Sequence, residues 1–191
     1  MRRPAFLALM CAAVTLAACG TSPPSRFYTL NATAPPATST STVFVAVGPV
    51  TVPAVVDRPE MVVRTSPNEL RIDEFNRWAG PLQNTVASAV AENLVAILGT
   101  PRVILFPQAL ATDPEFRVAI EVRAFDSVPG TEAILDASWT LRRSKDGKTQ
   151  TGRTSVREST TDGTFDALAA AHSRAVAKLS LDIANAIKAM Q

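Results

Sequence analysis

Two residues stand out as able to do chemistry: a cysteine near the start of the chain and a solitary histidine near its end. Cys19 closes the run Leu16-Ala17-Ala18-Cys19 and is followed by Gly20. Leu, two small residues and Cys is the order of the bacterial lipobox. There the thiol receives a diacylglyceryl group, the chain is cut before the cysteine, and the new amine is usually acylated. The preceding residues fit this reading. Met1-Arg2-Arg3 is a positive start, and an almost wholly apolar run from Pro4 to Ala18 comes next, as in a secretory signal. That run is about 15 residues, short of the roughly 20 a helix needs to cross a bilayer. Residues 1–18 are therefore expected to be a cleaved lipoprotein signal, with Cys19 the lipid-bearing first residue of the mature chain. An ordinary signal with an incidental cysteine is the alternative.

This assignment settles the cysteine chemistry. Of the two cysteines, Cys11 lies inside the signal and the Cys19 sulfur is capped by lipid. No disulfide, thiolate metal site or cysteine nucleophile is left. The expected covalent group is the lipid on Cys19, with no other cofactor.

His172 is the only histidine. It falls on the stripe Phe165, Leu168, His172, Val176, Leu179, Ile183 and Ile187, whose helical spacing marks a buried face. The expected role is structural. One histidine suffices for a Ser–His–Asp triad, so a periplasmic hydrolase using His172 is a rival reading, but no G-x-S-x-G elbow accompanies it. Zinc sites draw on several Cys or His ligands, and no metal site is expected. Neither a Walker-A nor a G-x-G-x-x-G loop occurs, so the chain does not itself hydrolyse ATP. The carboxylates Asp57, Asp73, Glu74, Asp126 and Asp136 are scattered, and sequence does not pair them as a glycosidase acid and base.

Phe75-Asn76-Arg77-Trp78 is the remaining cluster of interest. Aromatic and arginine side chains together, just before a helix, are the composition of a partner-binding anchor. In the plainer reading, Phe75 and Trp78 pack under the helix and Arg77 lies on the surface.

The elements that must position these residues can be read from periodicity. Arg26 to Leu30 reads as a short strand behind a polar tether, 19–25. Residues 31–42, NATAPPATSTST, offer no apolar stripe and are expected to be a flexible loop. Val43 to Val50 is a β-branched run, a buried strand. Glu60–Thr65 and Glu69–Asp73 read as strands around a Ser66-Pro67-Asn68 turn. Leu82, Val86, Val90, Leu94 and Ile97 mark a helix entered through Pro81 and ended by Gly99. Arg102 to Phe106 is another short strand. Phe116, Val118, Ile120, Val122 and Ala124 alternate with polar residues, as do Ala133, Leu135, Ala137, Trp139 and Leu141, the pattern of strands with one wet face. Asp146-Gly147 signals a hairpin, and the polar return strand, Lys148 to Ser159, suits a sheet edge. A long amphipathic helix, Phe165 to Met190, comes after Thr164 as candidate N-cap. The expected fold class is α/β: one domain over 26–191, a mixed β-sheet with an antiparallel meander, and two long helices covering it.

Removing the signal removes two arginines, leaving 17 basic against 17 acidic residues. A near-neutral chain lacks the concentrated basic footprint of nucleic-acid binders, and no nucleic-acid partner is expected.

The pattern resembles the PqiC/YmbA-type auxiliary lipoproteins of ABC and MCE transport systems. The resemblance rests on Phe27-Tyr28-Thr29-Leu30, Val45-Ala46-Val47-Gly48-Pro49-Val50, Asp57 to Arg64 leading to Arg77-Trp78-Ala79, and Val118 to Asp126 followed by Leu135 to Leu141. It spans nearly the whole mature chain, carried by the order and spacing of short motifs. It implies a compact domain similar to anticodon-binding-like and TolB amino-terminal folds, and no enzymatic activity. It also implies a lipid anchor on the periplasmic side of the outer membrane, consistent with Gly20 rather than Asp after Cys19. The implied partners are an MCE-domain protein with its permease and ATPase or multi-pass membrane protein, the membrane itself through acyl chains, and further copies of the chain. The implied role is to dock the periplasmic assembly in a lipid transport system. An envelope-stability lipoprotein unrelated to transport is the other reading.

Cys19→Ala is expected to abolish acylation and cleavage at this site. Palmitate labelling with and without globomycin checks this; a wild-type chain that is cut normally yet carries no label would refute the anchor.

Overall fold

A computed structural model describes residues 23–107 and 113–191. Among the described residues, eight strands and two helices form in the order β1 (Arg26–Tyr28), β2 (Val45–Thr51), β3 (Glu60–Ser66), β4 (Glu69–Trp78), α1 (Leu82–Leu98), β5 (Val103–Leu105), β6 (Phe116–Val128), β7 (Glu132–Arg143), β8 (Thr149–Ser159) and α2 (Phe165–Met190). The signal, Cys19 and the first part of the tether lie outside the described residues.

The strands divide into two sheets rather than one. A five-stranded sheet has the order β5-β2-β6-β7-β8, and a three-stranded one has the order β1-β4-β3. The division has a simple cause. β5 and β6 pair in parallel with β2 on its two sides, so β3, next in the chain, finds no free edge there. It pairs instead with β4 as an antiparallel hairpin, and β1 adds to β4 in parallel. The expected meander is the antiparallel run β6-β7-β8, which leaves polar β8 as an edge.

α2 lies over β6, β7 and β8, and α1 lies over β2 and β5, with the two helices in contact. Both helices bury the faces that periodicity assigns. Leu82, Val86 and Leu94 of α1 are fully enclosed, as are Leu168, Val176, Leu179, Ile183 and Ile187 of α2. The Thr164 hydroxyl accepts from Ala167 N at 3.1 Å, capping α2. α1 ends at Gly99 in the left-handed conformation, φ 62°. A side chain there is doubly disfavoured, since a Cβ would meet the Ser39 carbonyl oxygen at 2.2 Å. Gly152 fills a similar need on β8, where a Cβ would lie 2.1 Å from the Trp139 ring. Among the described residues no helix is long and apolar enough to cross a membrane.

β6 carries a bulge that redirects its inner face. Its pairing with β7 shifts between Val122 and Ala124. The alternation that buries Phe116, Val118, Ile120 and Val122 resumes beyond the shift with Phe125 and Ser127 inside. The sequence reading that carried the inward face through Ala124 is corrected by one residue, as a bulge requires.

Residues 31–42 contain no helix or strand, but the expectation of a flexible loop is also corrected. The segment is a strap fastened to both helices through its backbone. Asn31 N donates to Ser173 Oγ at 3.1 Å, Ala37 N to Ala96 O at 2.8 Å and Ser41 N to Gly99 O at 2.9 Å. Asn93, fully buried on α1, accepts from Thr33 N at 3.1 Å and Ala34 N at 2.9 Å, while its Nδ2 donates to Ala89 O at 2.7 Å. Side-chain composition failed as a guide here because main-chain groups make these attachments.

Asn93→Ala should therefore destabilise the fold by about 1–3 kcal/mol, because the amides of Thr33 and Ala34 lose the acceptor that fully buried Asn93 provides. Urea unfolding reads the loss, and faster amide exchange at Thr33 and Ala34 locates it. Unchanged exchange at both would contradict the strap.

Candidate functional site

The cluster Phe75 to Trp78 is the end of β4, not a loop before the helix. The strand bends there around Asp73, whose Oδ1 accepts from Phe75 N at 3.2 Å, Asn76 N at 2.9 Å and Asn76 Nδ2 at 2.8 Å. Burial would raise the Asp73 pKa, but the Asn76 side chain and the amides of Asn76 and Phe75 outweigh it and hold the carboxyl below its usual range. Asn76 Oδ1 in turn accepts from Tyr28 OH at 2.9 Å, which ties the bend to β1.

The bend sends the four side chains to different places. Trp78 is buried, only 4% exposed, and stands edge-on to Phe125 with centroids 5.9 Å apart. It is a core residue, and the expectation of Trp78 as a partner contact is corrected: its indole has no surface to offer. Arg77 lies at the surface but is engaged, its guanidinium 2.6 Å from Glu60, which also pairs with Arg58 at 3.1 Å. Its own backbone N–H and these two arginines lower the Glu60 pKa. Phe75 stays half-exposed, and Phe27 on the neighbouring strand is 64% exposed.

His172 closes the other half of this junction. It is completely buried, stacked on Phe125 at 3.8 Å and 7°, and edge-on to Trp78 at 6.3 Å. Its Nε2 lies 2.8 Å from Ser127 Oγ, and Nδ1 has no hydrogen-bond partner. Burial pushes its pKa from 6.5 down to about 3, so the ring is neutral. A triad needs a carboxylate on Nδ1 to orient and support the imidazole, and none is there. Nor does an enclosed ring meet substrate. Phe125 and Ser127, which complete the cluster, were missed by strict alternation; Phe125, a large apolar residue one step out of phase, is the only trace of the bulge in the sequence.

Of the scattered carboxylates, Asp73, Asp126 and Asp136 make structural contacts. Asp136 pairs with Arg153 at 2.5 Å and Asp126 with Arg64 at 2.9 Å. Among the described residues no three His, Cys, Asp or Glu side chains gather as a metal site. Among the surface hollows of the described residues, two adjoin the segments discussed above. One, about 350 Å³, lies between the strap and the helices, with apolar walls from Ala34, Pro35, Ile97, Ala177 and Leu181, and Arg174 and Lys178 at its rim. The other, about 690 Å³, lies where the described chain begins and is lined by Pro23, Pro24, Tyr28, Phe75, Asn76 and Phe165.

This fold of two sheets and two helices among the described residues has solved relatives. The sequence profile of the ABC-type transport auxiliary lipoprotein component matches residues 28–184, and the chain belongs to that family. It is an envelope lipoprotein family of transport systems, as the resemblance read from the sequence implies. Two crystal structures share the fold. One, titled an uncharacterized protein, is 20% identical, with a TM-score of 0.71 over 86% of this chain and 99% of its own. The other, a DUF330-family protein from Xanthomonas campestris, is 18% identical, with a TM-score of 0.69 over 84% of this chain and 93% of its own. A PelC dodecamer from Paraburkholderia phytofirmans is a weaker match, 15% identical with a TM-score of 0.40 over 78% of this chain and 88% of its own. No curated protein sequence matches the chain.

The buried histidine has a measurable signature. Above about pH 6.5 it is neutral in both folded and unfolded chains; as pH falls, the unfolded chain takes up a proton that the folded one refuses until about 3. Stability is therefore fully present above 6.5 and lost on acidification, at up to about 1.4 kcal/mol per pH unit. Glu60 and Asp136 are depressed in the fold but take up protons around the ordinary 4.5 and 3.8 when unfolded, so the interval from 6.5 down to about 5.5, above that uptake, isolates His172. Urea unfolding across that interval should slope in the wild type and be nearly flat in His172→Gln.

Proposed function

We propose that this chain is a non-enzymatic, lipid-anchored subunit of an MCE-type lipid transport system, held by Cys19 to the periplasmic leaflet of the outer membrane. There it docks the outer end of a periplasm-spanning assembly by surface contact, while partners supply the driving energy. The observation that carries this reading is the family match over residues 28–184, directly after a lipobox ending at Cys19 and followed by Gly20. Two acyl chains on one sulfur meet the requirement for stable anchoring, which a single chain does not. The interior supports binding rather than catalysis, since the only histidine is enclosed and unsupported at Nδ1.

The test is in-cell crosslinking followed by purification of the lipidated chain. An MCE-domain protein is expected among the captured partners, and the outer membrane is the expected fraction. Cys19→Ala should lose the fraction and the capture together. A lipidated chain captured with another transport component but no MCE protein would reject the MCE assignment and leave the family role standing.

A further inference from the structure

The hollow between the strap and the helices has no part in the core. α2 carries two stripes. Leu168, His172, Val176, Leu179 and Ile183 form the one that enters the core. Arg174, Ala177, Lys178 and Leu181 follow the spacing i, i+3, i+4, i+7 and form a second, which lines the hollow. The other apolar walls come from Ala34 and Pro35 of the strap and Ile97 of α1. Asn93 Oδ1 accepts from Thr33 N at 3.1 Å and Ala34 N at 2.9 Å, so the fold itself fixes the strap wall. Leu181 is 46% exposed on this stripe. A concave, mainly apolar hollow with a few polar groups at its rim is the form of a small-molecule site. At about 350 Å³ it is near the small end of the usual range, about 300–1,000 Å³.

The rim has one positive charge to spare. Arg174 is spent on the edge strand: its Nε donates to Glu158 Oε2 at 3.0 Å and its Nη2 to Ser159 O at 2.7 Å. Lys178 Nζ lies 2.5 Å from Glu158 Oε1, on a side chain 59% exposed. Two cations thus share one carboxylate, and an ammonium with three donors keeps some for another acceptor.

We propose that this hollow binds a long-chain fatty acid, its chain against Ala34, Pro35, Ile97, Ala177 and Leu181 and its carboxylate on Lys178. One chain suits the small volume, and one negative charge matches the surplus at the rim. A diacyl phospholipid would leave its second chain in water. The site goes beyond the docking role proposed above and does not depend on it.

The experiment adds palmitic acid with a photoreactive diazirine in its chain to the full lipidated chain in phosphatidylcholine vesicles. Mass spectrometry then maps the adducts. They are expected at residues 33–35 and 177–181, and to be competed by unlabelled palmitic acid but not by methyl palmitate. Leu181→Asp puts a charge into the apolar wall and should cut this labelling about tenfold or more, with the melting temperature unchanged. Lys178→Met keeps the stem and should erase the preference for the acid over its methyl ester. Adducts scattered over the surface, or not competed by palmitic acid, overturn the proposal. So does equal competition by methyl palmitate in the wild type, or full labelling of a folded Leu181→Asp chain. A photoreactive phosphatidylglycerol in the vesicles that labels the hollow when the fatty acid does not would also overturn it, as would adducts there that join two copies of the chain.

Discussion

The contact on which the rest of the structure depends is the stack of Trp78, Phe125 and His172. It joins three elements that no hydrogen-bond ladder connects: the end of β4, the stretch of β6 beyond its bulge, and α2. The three-stranded sheet shares no strand pair with the five-stranded one. Its placement rests on side chains, namely this stack, Tyr28 against Phe165 at 6.3 Å, and Arg64 reaching Asp126. Aromatic pairs add about 0.5–1.5 kcal/mol beyond their buried area. Against that stands one unpaired ring nitrogen, which costs about 1–3 kcal/mol. The histidine is tolerated because its ring fills the layer between Phe125 and the helix, and a gap there would forfeit the contacts of every ring in the stack.

Where a residue's fate is set by the period of its own element, the sequence shows it plainly. The stripe of α2 placed His172 in the core, and the Asp146-Gly147 turn placed β7 against β8. Features that depend on what a second element does were hidden. The β6 bulge, the division into two sheets and the strap are of this kind. Trp78 shows the difference at a single residue: its composition suggested a contact, whereas its register opposite Tyr28 turned it inward. Asn93 was a visible clue that went unread, a polar residue beside Leu94 on the buried side of α1. Such a residue needs partners, and the backbone of the strap supplies them.

The charges complete the division between closed and open surface. β8 is an edge, yet it carries Arg153 and Arg157, paired across the strand to Asp136 and Glu132. Such residues discourage a foreign strand from adding there. Glu158 on the same strand pairs with Arg174 and Lys178 of α2 at 3.0 and 2.5 Å. Burial would raise the Glu158 pKa, but these two cations outweigh it and keep the carboxylate ionised. Pairs of this exposure contribute at most about 1 kcal/mol each. Their clearer effect is local: they hold α2 against the edge strand and leave little unpaired charge on that side.

The strap would give the proposed anchor at Cys19 a mechanical sense. A pull at Cys19 would enter the domain through β1, whose three residues are a weak hold by themselves. The chain does not run slack after β1. It is fastened in turn at Ser173, Asn93, Ala96 and Gly99 before it enters β2, an interior strand of the larger sheet. The load would thus be shared along α2 and the length of α1, and through Thr100, whose hydroxyl donates to Val43 O at 3.0 Å, into β2 itself. A free loop of the same composition would let β1 peel away and leave the body hanging on a long tether. By pinning a Pro- and Thr-rich segment through its amides, the fold makes the first strand and the core one body. A lipid on Cys19, as proposed, would then position the whole body.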